Sequence, residues 1–205
     1  MARFSAISCV CKALLRSLED HCPRELFAGQ VPAFRIYQPE SFTTPPPDPV
    51  VEGFTLFPWR IAPNAQMRSQ PPRTDAHGDK FRPSLPLDVH MVATPWAADA
   101  ERQLALLGWM ARHLEDRPIF DANRLNAAST FSGQVFQAHE SVELVCDPLP
   151  VADLLGLWDK FKPRLPASAT YVARGILLDS EVAMESGALV RNRTFEYAAP
   201  GGARN

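Results

Sequence analysis

Apolar residues recur along this chain at two spacings, and the changes from one to the other mark out its elements. Over residues 2 to 21, Phe4, Ile7, Cys11, Leu14 and Leu18 fall three and four apart, with Arg3, Lys12, Arg16 and Glu19 elsewhere around the wheel. That spacing predicts an amphipathic helix. Cys22-Pro23 should end it, because the residue before a proline avoids the helical region. Val31 to Tyr37 reads as a strand, and Ser41 to Pro49, with Pro45-Pro46-Pro47, as an extended loop.

Gly53 to Ile61 carries Phe54, Leu56, Phe57, Trp59 and Ile61 and reads as a second strand. Pro58 cannot donate to a ladder, so this strand should lie at a sheet edge or be bulged there. Residues 62 to 84 are polar and proline-punctuated, and they predict a long loop. It is basic: Arg68, Arg73, Lys80 and Arg82, with Arg60 just before, stand against Asp75 and Asp79. Such a length is unusual for a mere connection in a compact domain.

Leu85 to Thr94 predicts a strong strand, with Leu87, Val89, Met91 and Ala93 on one side and Asp88, His90 and Val92 on the other. Asp99 to Leu114 predicts a helix with Leu104, Leu107, Met110, Ala111 and Leu114 on its stripe. Residues 121 to 140 show little pattern. Ser141 to Asp147 reads as a strand, Val151 to Phe161 as a short helix and Ala169 to Leu178 as a last strand. A strand is also expected over Ala188 to Tyr197, in a tail running from 182 to 205. The order predicts an α+β fold: a mixed, largely antiparallel sheet flanked by helices, in one domain over residues 1 to 181.

Bulk properties agree with a globular chain. It has 205 residues, 46% hydrophobic and 21% charged, enough to bury a sizeable core. The net charge of -2 does not call for a nucleic acid or an anionic membrane. The N-terminus mixes apolar residues with Lys12, Arg16, Glu19 and Asp20, so no signal peptide is expected, and no stretch reaches the ~18 apolar residues of a membrane helix. Cys9 and Cys11 stand about 200° apart on a helix and can neither share a ligand nor bond each other. With Cys22 and Cys146 they read as reduced thiols of a cytosolic protein.

A search for chemistry finds little. His21, His77, His90, His113 and His139 lack the spacings of a zinc site. There is no GxSxG, no GxxxxGK[ST] and no GxGxxG. Asp88 and His90 share a strand face; they read as an interface face, or alternatively as the acid/base pair of a small hydrolase or metalloenzyme. Glu140, Glu143 and Asp147 read as solvated strand residues. The basic loop holds one aromatic, Phe81, where a single-strand groove wants several, so it reads as a loop that orders against a protein partner. Trp59, Trp96, Trp109 and Trp158 read as core, with room for one interface anchor.

Four segments together carry a resemblance. Phe57-Pro58-Trp59-Arg60-Ile61-Ala62-Pro63-Asn64, then Met67-Arg68, resembles an aromatic–Arg–aliphatic–x–Pro–Asn–x–x–aliphatic–Arg signature. Leu87-Asp88-Val89-His90-Met91-Val92-Ala93-Thr94 resembles the strand Leu-Asp-Leu-His-Tyr-Leu-Leu-Thr. Leu106-Leu107-Gly108 with Met110, Leu114 and Pro118 resembles the helix that follows; Pro148-Leu149, Leu157-Trp158, Ser168, Tyr171 and Arg174 resemble the closing helix and strand. In this order they resemble the tail-terminator (cap) family of extracellular contractile injection systems, the antifeeding-prophage-like particles, over residues 4 to 181. Pro58, Ser69 and Met91 depart from the family's usual aliphatic residue, Asn and Tyr.

The resemblance implies a tail-terminator-like fold and a structural role. A six-fold ring of the chain would close the far end of inner tube and sheath, stop their polymerisation and anchor sheath to tube. It implies no catalytic residue, no cofactor and no metal; the partners are further copies of the chain, the tube protein and the sheath protein, with neither nucleic acid nor membrane. Assembly would take place in the cytoplasm, with release of the particle by lysis. A phage tail-completion or connector protein is the alternative. The candidate interface residues are Trp59, Arg60, Asn64, Arg68, Arg73, Arg82, Asp88, His90, Val190, Arg191, Arg193 and Phe195.

Overall fold

The architecture comes from a computed structural model, which describes residues 4–27, 29–43, 49–75, 77–130, 133–161 and 166–184. Helix α1 (Ala6–His21) opens the chain. It stops where expected: Cys22, before Pro23, is extended with ψ 141°. Its buried side is broader than the predicted stripe. Ala6, Cys9, Val10, Ala13, Leu14 and Leu18 all enter the core, while Phe4 is exposed.

Strand β1 (Ala33–Ile36) runs parallel to β2 (Gly53–Pro63). Gly53 is required here. Its φ is +136°, and a Cβ would strike the Ala33 backbone as β1 closes on β2. The loop predicted for 62 to 84 is interrupted by a short paired segment. It folds into a hairpin, β3 (Arg73–Thr74) with β4 (Lys80–Phe81), closed at its turn by Asp75, whose side chain accepts the N–H groups of His77 and Asp79 at 2.9 Å each.

The long strand β5 (Leu85–Trp96) pairs antiparallel with β2 on one side and with β8 (Ala169–Leu178) on the other. Between them in sequence lie α2 (Ala100–Asp116), β6 (Ile119–Asp121), α3 (Ala122–Ala127), β7 (Ser141–Cys146) and α4 (Val151–Phe161). The sheet order is β1-β2-β5-β8-β7-β6, antiparallel throughout except for β1 against β2. This is the mixed, largely antiparallel α+β sheet that the sequence predicts.

The helix side of the sheet is the main core. Leu87, Val89, Met91 and Ala93 of β5 share one cluster there with residues of α1, α2 and α3, and α2 packs on β5, as their alternation requires. The α2 stripe is rotated from expectation: Leu106, Met110, His113 and Leu114 are buried, and Leu104 is 58% exposed. His113 explains the rotation, since a buried, hydrogen-bonded histidine occupies a position that sequence counts as polar. Its Nε2 lies 3.0 Å from Ser17 Oγ of α1. The unpatterned stretch 121 to 140 holds α3 and a clasp: Asn126 accepts the N–H groups of Val135 and Phe136, and both side chains are buried.

The opposite side of the sheet carries a smaller cluster of Tyr37, Phe42, Val50, Phe57 and Val92, flanked by Trp59, Trp96 and Leu157. Helix α4 starts and ends as predicted, but Val151, Leu154 and Leu155 remain exposed.

Candidate assembly surface

Pro58 does what its chemistry demands. The β2–β5 register runs Pro58↔Met91 and then Arg60↔His90, so Trp59 is the extra residue of a bulge. The expected edge position is also met in part: β1 pairs with Gly53–Leu56, so among the described residues β2 from Pro58 onward has no strand on that side. The bulge lays Trp59 against the small cluster, 5.9 Å from the His90 ring, with its indole N–H buried and without a hydrogen-bond partner among the described residues.

Asp88 and His90 are not a pair. A second bulge separates their roles: Arg174 and Gly175 of β8 stand opposite Asp88 alone. Gly175 has φ +74°, and its N–H donates to Asp88 Oδ1 at 3.1 Å. Asn64 donates to the same carboxylate, while its own Oδ1 accepts the N–H groups of Gln66 and Met67 at 3.0 Å each. Asp88 and Asn64, offered by sequence as contact residues, are therefore partly or fully buried structural ties. His90 turns instead to Asp147, with Nδ1 to Oδ2 3.1 Å. Asp147, read as solvated, is that partner. Asp88 and His90 thus each have a partner of their own.

The basic residues also divide. Arg73 lies over the Phe81 ring at 4.4 Å and its Nε is 3.8 Å from Asp179 Oδ2. It ties the hairpin to the end of β8 and is not displayed. Asp179 also accepts from Ser84 Oγ at 2.5 Å. Arg60, Arg68 and Arg82 are exposed on the β2 end and the hairpin. The chain after β8 runs along β4: Arg82 N–H donates to Val182 O, and Met184 N–H to Lys80 O at 2.7 Å. Val190, Arg191, Arg193 and Phe195 lie outside the described residues, as does the strand expected over 188 to 197. The side chain of Trp158 is likewise undescribed.

A cavity of about 640 Å³ separates the hairpin from the far flank of the sheet, lined by Arg73, His77, Ser84, His139, Glu140 and Asp179 among others. Among the described residues no three His, Cys, Asp or Glu groups are placed to hold a metal ion. No described helix is long and apolar enough to cross a membrane. Sequence reading missed Asp179, whose partners Arg73 and Ser84 are remote in the chain, and the exposed leucines of α4.

A family model described as the Pvc16 N-terminal domain matches residues 9–192. No curated protein matches the chain significantly. Among solved structures, the fold is similar to a PVC sheath/tube terminator of an extracellular contractile injection system in its extended state, with TM-score 0.59 and 16% identity over 94% of this chain and 64% of that one. It is also similar to the anti-feeding prophage cap, a tube terminating cap, with TM-score 0.53 and 12% identity over 93% of this chain and 60% of that one. The chain thus spans less than two thirds of either protein's length. At such identities the likeness is one of fold.

Proposed function

The chain belongs to the Pvc16 N-terminal domain family, and on that footing we propose that it is a structural cap, a ring that closes the end of an inner tube and its sheath, halts their growth and ties one to the other. The observation that carries this reading is the similarity of nearly the whole chain to a sheath/tube terminator.

Physical logic supports it. The last ring of a polymer exposes the surface that would recruit the next; a closed cyclic ring covers that surface and offers no equivalent beyond it. Copies of the chain itself, in a hexamer, the tube protein and the sheath protein are the partners. Arg60, Arg68 and Arg82 form the charged part of the contact surface, and Trp59 with His90 the aromatic part. The proposed role has no catalytic step. Assembly takes place in the cytoplasm, and the particle leaves on lysis.

The test is polymerisation of the tube protein with and without the purified chain, followed by negative-stain imaging. Rings at tube ends, and tube lengths that shorten as the chain is added, are expected. A chain that stays monomeric and leaves tube growth unchanged overturns the proposal.

A further inference from the structure

Three helices meet at one buried hydroxyl. Ser17 of α1 is buried, and its Oγ lies 3.0 Å from His113 Nε2 of α2 and 3.0 Å from Arg124 Nη2 of α3. The buried His113 ring stacks on Trp109, with 5.1 Å between centroids. Its other nitrogen, Nδ1, lies 3.3 Å from Nη1 of Arg117, the residue that caps α2. The Arg124 guanidinium also lies over the Phe120 ring at 4.5 Å, so β6 joins the same cluster.

These partners fix where the ring carries its proton. A guanidinium N–H can only donate, so Nδ1, beside Arg117, is the unprotonated nitrogen. The proton sits on Nε2 and is donated to Ser17 Oγ, which accepts from Arg124 as well. A second proton has one place to go, Nδ1, and there it sets donor against donor. Charge sharpens the conflict. The ring faces Arg117 from α2, Arg124 from α3 and, at 5.0 Å between centroids, His21 from α1. Among the described residues, Asp116 is the carboxylate that bears on the ring, and it is bound to Arg112.

We propose that this cluster is an acid-sensitive latch: proton uptake at His113 Nδ1 expels Arg117 and loosens the end of α1, Ser17 to His21, from α2 and α3, ahead of the rest of the domain. The opening is local because the first part of α1 is held by other means. Lys12 Nζ donates to Thr130 Oγ1 at 2.8 Å and Arg16 Nη1 to Ala127 O at 2.9 Å, and lysine and arginine keep their charge through the acid range. Ala6, Cys9, Val10 and Leu14 fill the core. His21 closes the helix with Nδ1–H donated to Ser17 O at 2.9 Å, a bond that its own protonation does not break. The latch is independent of the cap reading, since it concerns how the helices are held to one another.

Two measurements on the full chain test it. Nitrogen NMR of the His113 ring at pH 7.5 should show the proton on Nε2; a proton on Nδ1 overturns the proposal. Hydrogen exchange is then compared at pH 7.5 and 4.5, corrected for the intrinsic rate. The amides of Leu18 to His21 should lose about tenfold more protection in acid than those of β5 and β8. His113→Gln should abolish that difference. Arg117→Gln, whose amide can accept from a protonated Nδ1, should shrink it, and it decides the matter if His113→Gln does not fold. Equal loss across helix and sheet overturns the proposal, as does an acid effect unchanged in the variants.

Discussion

Asn64 donates its side-chain amide to both carboxylate oxygens of Asp88, at 3.0 and 3.1 Å. The two residues are 24 apart in sequence and tie the end of β2 to the second bulge, where Gly175 adds its N–H. Asp88→Ala leaves both donors unpaired and should cost about 2–3 kcal/mol in urea denaturation with an unchanged slope. Asn64→Ala should cost a similar amount. The double variant should cost less than the sum, because both changes break one shared contact.

His113 makes stability depend on pH. Its burial first, then the charges of Arg117, His21 and Arg124, lower its pKa from 6.5 to about 4. The folded value is below the unfolded one, so protonation opposes folding. Its contribution is complete above pH 6.5 and is lost as pH falls from 6.5 toward 4. Melting temperature measured between pH 7.5 and 4.5 should drop, and His113→Gln, which keeps a neutral hydrogen-bonding group, should flatten that drop.

Gly53→Ala tests the β1–β2 join. The residue would be strained at φ +136° and its methyl would meet the Ala33 backbone. A loss of about 2–3 kcal/mol is expected, with faster hydrogen exchange in β1 ahead of the rest of the sheet.

Charge reversal separates the arginines. Arg60→Glu, Arg68→Glu and Arg82→Glu together alter exposed positions and should change thermal unfolding by under about 0.5 kcal/mol each while weakening binding to the tube protein. Arg73→Glu should do the opposite first: it loses Phe81, confronts Asp179 and unfolds the hairpin, visible as new protease cleavage between residues 68 and 84. Equal behaviour of all four would refute the division between displayed and structural arginines.

Much of this was legible in the sequence, where elements are long enough to show a period. Val151 to Phe161 and Ala169 to Leu178 were predicted to the residue, and the β5 alternation separates the two clusters as read. The tail-terminator resemblance carried by Phe57–Arg68 and Leu87–Thr94 is borne out by the family match and the shared fold. The rest depends on distant partners. β6 and α3 have three and six residues, too few for a pattern, and are held by the Asp121 cap and the Asn126 clasp. Arg73 and Arg82 look alike in sequence; the Phe81 ring across the hairpin and Asp179, more than ninety residues on, tell them apart. Asp88 looked available because neither Asn64 nor Gly175 announces itself as its partner.

The unequal coverage of the sheet has an evolutionary consequence. The large cluster beneath α1, α2 and α3 supplies cohesion, whereas the far side holds a handful of aromatic residues and a helix with bare leucines. Substitutions at the exposed positions of that far side, such as Val151, Leu154 and Leu155, touch few cohesive contacts. Lineages can retune what the domain grips there, one side chain at a time, without renegotiating how it folds.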